Sequence, residues 1–246
     1  MFFGYCDSKL YYDFFDNKKE MTVVLLHGWG GNHQSLISLA SAFANYNILT
    51  LDFFGFGLSD KVKENFDIYT YANAVIALTK FLQLKKICLV GHSFGGRVAI
   101  IFAGLEQSLV EKVILIDSAG IKPKYSFKKT FKRIFFKIQK FLVKNNVRNK
   151  ACLTKYGSAD YKALSSTEKV VFNKIINEDL SKYLEFMKQK TLIIWGEKDK
   201  DTPLYMARHL REKIKNSRLV ILKGGSHFVY VEQTKFVIKC IKEFLG

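Results

Sequence analysis

Residues 88–97, CLVGHSFGGR, run from an apolar segment straight into glycine, histidine, serine and two further glycines. The flanks read as a buried strand, KICLVG (86–91), and a helix, RVAIIFAGL (97–105), which leaves Gly-His-Ser-Phe-Gly as the turn between them. A turn this sharp lifts the serine clear of the sheet. The glycines are needed because a side chain beside the strained backbone would collide with the strand or with the helix that follows. Ser93 then stands at a helix N-terminus, where the N–H of Phe94 and the positive end of the helix dipole can face a developing oxyanion.

Outward from this turn, short apolar runs recur with helical stretches between them: TVVLLHG (22–28), NILTLDF (47–53), KVILID (112–117), TLIIWG (191–196) and RLVILKG (218–224). Runs of aliphatic and β-branched residues without alternation indicate parallel strands buried on both faces. SLISLASAFANY (35–46) and NAVIALTKFLQL (73–84) have the length and apolar spacing of crossover helices. The pattern predicts an α/β fold with a mostly parallel central sheet covered on both faces. Between Ile116 and Thr191 it breaks for more than about seventy residues, too long for a structureless loop, so a helical insertion is expected there. The expected division is a core of 1–120 and 186–246 with an inserted helical cap at 121–185. In that insertion Phe127, Phe131, Ile134, Phe135, Ile138, Phe141 and Leu142 recur at steps of three and four, one apolar helix face with basic residues between.

A serine hydroxyl is a weak nucleophile unless a base lies within hydrogen-bond reach. Of the five histidines, His27 and His92 lie inside glycine-bounded motifs, His209 lies in a helical stretch and His33 follows the first strand. His227, in KGGSHF, sits just past the last strand, at the sheet edge where α/β sites assemble. An acid must hold the base's tautomer and orientation. Asp199, in IIWGEKDKDTP, follows the penultimate strand; Asp201 beside it and Asp117 at the end of VILIDSAG remain alternatives.

The chain thereby resembles the α/β-hydrolase fold superfamily. HGWGG (27–31) matches that superfamily's oxyanion-hole motif, DFFGFGLSD (52–60) its Asp-x-x-Gly-x-Gly-x-Ser segment, and GHSFGG (91–96) its nucleophile elbow; WGEKD and GGSH complete the set. The similarity runs from about Leu25 to the C-terminus, with 121–185 in the place of the variable cap. It implies a Ser93–His227–Asp199 triad, oxyanion donors at the backbone of Trp29 and Phe94, and no metal or organic cofactor. It also implies a serine hydrolase that cleaves a carboxylic ester of an uncharged or anionic small-molecule acyl substrate through an acyl-enzyme. Carbon–carbon hydrolysis of ring-cleavage diketones and thioester hydrolysis are alternatives within the superfamily, and a ligand-binding protein on the same scaffold is the non-enzymatic one. The candidate substrate contacts are Arg97, Gly28, His92, Phe131 and Phe135. Asp52 and Ser59 are expected to close a loop near the site.

The formal charge is +17, and residues 121–150 hold eleven Lys or Arg and no Asp or Glu, so the rest of the chain carries 17 − 11 = +6. Such a basic amphipathic stretch is a solvated face, a roof over an acyl pocket or a weak contact for an anionic membrane surface. No nucleic-acid module accompanies it, so no nucleic-acid partner is expected. Four scattered cysteines suggest reduced thiols, with neither a disulfide framework nor a zinc site. The N-terminal stretch lacks a signal-peptide pattern, and a cytoplasmic protein is expected. Oligomeric state is left open.

Overall fold

The computed structural model describes residues 1–122 and 163–246. Eight strands form one sheet: β1 (Phe2–Tyr5), β2 (Ser8–Phe15), β3 (Met21–Leu26), β4 (Asn47–Leu51), β5 (Lys86–His92), β6 (Val110–Ile116), β7 (Lys190–Gly196) and β8 (Ser217–Leu222). Their order across the sheet is β1-β2-β4-β3-β5-β6-β7-β8. Every pairing from β4 to β8 is parallel, whereas β1 and β2 add an antiparallel edge.

The six apolar runs became strands because their successive side chains feed two cores. From β5, Ile87 and Leu89 enter one core and Cys88 and Val90 the other; from β7, Ile193 and Trp195 divide likewise from Leu192 and Ile194. On the first face pack α1 (Ile68–Phe81), α2 (Phe94–Leu105) and α5 (Tyr205–Lys213). On the second lie α6 (Val229–Glu232) and α7 (Thr234–Leu245). Helix α1 begins where Asp67 accepts from the Thr70 N–H while the Thr70 hydroxyl accepts from the Asp67 N–H, satisfying two end donors reciprocally.

Two expectations need amending. SLISLASAFANY forms a 3₁₀ helix over Ile37–Ala42 instead of an α-helix. Leu36 and Leu39 are buried at a spacing of three, and the Phe43 N–H closes back on Ala40 O, as that tighter helix requires. The β1–β2 hairpin was not foreseen. Its loop is the pair Cys6-Asp7, both at positive φ (48° and 51°), which is the conformation of a two-residue hairpin but carries none of the Asn-Gly or Asp-Gly signal that usually marks one.

Between β6 and β7 the described residues form α3 (Ser166–Asn177) and the short α4 (Ser181–Leu184). Phe131, Phe135 and the basic amphipathic run around them lie outside the described residues. Among the described residues no helix is long and apolar enough to cross a membrane.

Candidate active site

Ser93 follows β5 directly and adopts φ 50°, ψ −110°, a left-handed conformation that a residue with a side chain holds only when its surroundings impose it. They do so here through its own amide and carbonyl: Ser93 N–H donates to Ile116 O at 3.1 Å, and Ser93 O accepts from the N–H of Gly96 and of Ala119, both at 3.0 Å. The neighbouring glycines permit the bend. A Cβ on Gly91 would lie 2.6 Å from Gly95 O, and one on Gly95 would drive into the backbone carbonyl of Leu26.

The Ser93 hydroxyl lies 2.9 Å from His227 Nε2, and His227 Nδ1 lies 2.8 Å from Asp199 Oδ2. These residues come from the ends of β5, β7 and β8. Asp199 is held in turn by Thr202, whose hydroxyl donates to Oδ2 at 2.6 Å, while the N–H groups of Asp201 and Thr202 donate to Oδ1 at 2.8 and 2.9 Å. Burial, the largest single influence on Asp199, raises its pKa, but the bonds from His227 and Thr202 together outweigh it and hold the carboxyl below its ordinary range. Burial likewise lowers His227, and the adjoining Asp199 overcomes it, so the imidazole ends above its ordinary value. The arrangement is a polarised serine–histidine–carboxylate chain in which protonation of His227 is stabilised.

Of the alternative acids, Asp201 is exposed and touches Asp199 through its backbone. Asp117 is fully buried; its Oδ1 accepts from the Gly196 N–H at 2.7 Å, and its Oδ2 has no hydrogen-bond partner among the described residues. Burial, reinforced by the Asp199 charge, pushes Asp117 up to about 7 against the opposing Gly196 bond. His227 thus makes its hydrogen bond with Asp199. The ligand atoms of Asp199, Asp201 and His227 approach one another within 4.8 Å, but Asp199 and His227 already spend their facing atoms on each other, which suits proton transfer better than metal coordination.

Among the described residues nothing accepts a hydrogen bond from the N–H of Trp29 or of Phe94, the two expected oxyanion donors. Beside Ser93 opens a cleft of about 320 Å³ lined by Trp29, Phe94, Ile121, Phe172, Ile175 and Met206, with Arg97, Thr202 and Asp201 among its polar contributors. Trp29 meets Phe56, Phe94 and Phe172 edge to face, so α3 closes over the pocket through an aromatic contact.

Arg97 therefore reaches the cleft, whereas His92 and Gly28 do not line it. His92, 2% exposed, bonds through Nε2 to the His227 carbonyl at 2.8 Å. Burial, with the nearby His227 ring, pushes its pKa down to about 3, so the neutral ring donates and pins the loop that carries the base. A Cβ on Gly28 would sit 2.7 Å from His92 Nδ1, so Gly28 is the clearance for that ring. His27 is buried too, accepting from the Phe53 N–H at Nε2, and Asp52 accepts from His33 and from the Leu58 N–H; these groups brace the 52–60 loop. Ser59 closes the same loop through its hydroxyl to Asp52 O.

Thr202 and the apolar lining of α3 were missed from sequence. The first was legible in principle, since Asp199-x-x-Thr202 is a side-chain-to-backbone turn; the second follows only from where α3 docks.

Comparison with known proteins gives the same architecture. A family model described as alpha/beta hydrolase fold matches residues 22–145 and 157–234. Uncharacterized hydrolase YugF of Bacillus subtilis is 28% identical over 258 residues, covering 96% of this chain and 94% of its own. Lipase 3 of Moraxella sp. is 23% identical, covering 96% of this chain and 81% of its own. Among solved structures, the esterase EaEST from Exiguobacterium antarcticum superposes with a TM-score of 0.77 at 21% identity, covering 99% of this chain and 98% of that one. With the matched segments spanning most of its length, and the sheet and elbow just described, the chain belongs to the α/β hydrolase fold family.

Proposed function

We propose that this hydrolase cleaves carboxylic esters through an acyl-enzyme, with Ser93 as nucleophile, His227 as general base and acid, and Asp199 as the group that orients the base. The observation that carries this reading is the unbroken hydrogen-bonded chain from Ser93 Oγ through His227 to Asp199 at 2.9 and 2.8 Å, opening on an apolar cleft. Ser93 Oγ attacks the acyl carbon while its proton passes to His227 Nε2. As the tetrahedral adduct collapses, His227 returns that proton to the departing alkoxide. A water deprotonated by His227 then attacks the acyl-serine and releases the acid.

The Trp29 and Phe94 amides hold the oxyanion in both steps, a contribution of roughly 3 kcal/mol per donor in sites of this kind. Phe94 opens α2, so the helix dipole acts in the same direction. In this reading 1–120 and 186–246 supply the chemistry and 121–185 is a cap that shapes the substrate site, since Phe172, Ile175 and Ile176 of α3 line the cleft.

The test is hydrolysis of p-nitrophenyl esters of increasing acyl length by the wild type and by Ser93→Ala. Turnover should fall by a factor of about a million in the variant. Labelling of the wild type by a fluorophosphonate, lost in Ser93→Ala, would show the nucleophile directly. Silence toward both esters and probe in folded protein would sink the reading in favour of ligand binding; labelling without ester turnover would favour carbon–carbon or thioester cleavage.

A further inference from the structure

Among the described residues the one cationic side chain in the wall of the cleft is Arg97, and it is short of partners there. It is 4% exposed, yet among the described residues its guanidinium makes a single hydrogen bond, from Nη1 to the Glu178 carbonyl at 3.0 Å. A guanidinium has five N–H donors, and leaving most of them unmet in a buried position is costly unless something else enters to accept from them. Two carboxylates are near enough to be felt by it, but both are committed elsewhere. Glu178 accepts from the Tyr69 hydroxyl at 2.5 Å and pairs with Lys182 at 3.5 Å, while Asp179 accepts from the N–H and the hydroxyl of Ser181. No described carboxylate lies within ion-pair distance of Arg97.

The remaining lining does not compete for the charge. Trp29, Phe94, Ile121, Phe172, Ile175 and Met206 are apolar, and Asp201, the one carboxylate bordering the cleft among the described residues, is solvated. A buried charge acts through a low dielectric and a solvated one through a high one, so Arg97 acts on an anion in the cleft more strongly than the solvated Asp201 does. Burial is also what lowers the Arg97 pKa, to about 10, with Asp179 and Glu178 opposing it, and the side chain is still cationic near neutrality.

We infer that the cleft selects a substrate bearing a carboxylate, which Arg97 grips through its unused N–H groups while Ser93 attacks the ester at the other end. This rests on the esterase reading for the reaction, but the anion site itself is testable without turnover. The probe pair is a carboxylate and its isosteric primary amide, 4-phenylbutyrate and 4-phenylbutyramide, titrated into the wild type with binding followed by calorimetry. The carboxylate should bind at least about tenfold more tightly, the scale of one charge-assisted hydrogen bond. Arg97→Met should reduce that ratio to near one, and Arg97→Lys should keep part of it. Equal affinities in the wild type, or a ratio that survives in Arg97→Met, would overturn the inference. In the catalytic arm, mono-p-nitrophenyl glutarate should exceed p-nitrophenyl pentanoate in kcat/KM, with the ratio collapsing in Arg97→Met. If neither ester is hydrolysed while the binding ratio holds, the esterase reading fails and the anion site stands; if both are hydrolysed and no binding ratio exists, the reverse is true.

Discussion

At His227 the balance of opposing influences has a consequence for rate. In the proposed reaction the imidazole must be neutral to take the Ser93 proton, and Asp199 raises its pKa despite burial, so the neutral fraction is lost as pH falls through a value above the ordinary 6.5. The acid limb of the kcat/KM profile should accordingly have its midpoint above 6.5. Asp199→Asn, which removes the charge and disturbs the tautomer, should move that midpoint down and lower kcat by a factor on the order of 10⁴, the scale known for this substitution in a serine protease triad. A profile unchanged by Asp199→Asn would transfer the role to another acid. The residue types and their places at strand ends were legible from sequence, because each follows an apolar run and a glycine. The preference for Asp199 over Asp117 and Asp201 came from its place after the penultimate strand and from the chain order, while the carboxylate that faces Nδ1 is fixed by loop geometry that the sequence does not display.

Among the elements, those with the strongest local signal emerged where expected: six apolar runs became β3 to β8, and the stretches after β4 and β5 became α1 and α2. The elements that escaped are informed by their neighbours. Strand β2 alternates buried Ser8, Leu10 and Tyr12 with more exposed residues, a weak edge pattern, and its turn uses residues with side chains where glycine is usual. Helix α3 did announce itself locally through Ser165-x-x-Glu168, a reciprocal cap that the structure forms, but nothing in its sequence says that it roofs the cleft. The elbow offers a sharp contrast between two glycines. Gly95→Ala would push a methyl into the Leu26 carbonyl, a backbone atom that cannot step aside, whereas a Cβ on Gly4 meets nothing within 4 Å. Gly95→Ala should therefore destabilise by more than about 2 kcal/mol and abolish turnover, and Gly4→Ala should stay within about 0.5 kcal/mol of wild type, as measured by urea unfolding. Equal midpoints would mean that the elbow is looser than described.

Across the whole molecule, a formal charge of +17 surrounds a site whose own cation is buried. The two act over different ranges, because salt screens exposed charges within about a Debye length and buried ones far less. Raising ionic strength should narrow the affinity gap between carboxylate and amide ligands without closing it; a gap that vanishes at high salt would assign the preference to the surface field instead of Arg97. The path of the chain has a consequence of another kind. Strands β6 and β7 are hydrogen-bonded neighbours in parallel register from Lys112↔Lys190 to Ile116↔Ile194, although a long segment separates them in sequence and part of it lines the cleft. What is inserted there leaves and re-enters the sheet on adjacent strands, whereas Ser93, Asp199 and His227 follow β5, β7 and β8, so the described part of the insertion packs on the core and the cleft wall without supplying any of the three. For the proposed reaction the sheet is a socket: substitutions of Phe172, Ile175 or Ile176 on α3 should change which acyl groups fit while leaving the distances among Ser93, His227 and Asp199 as they are.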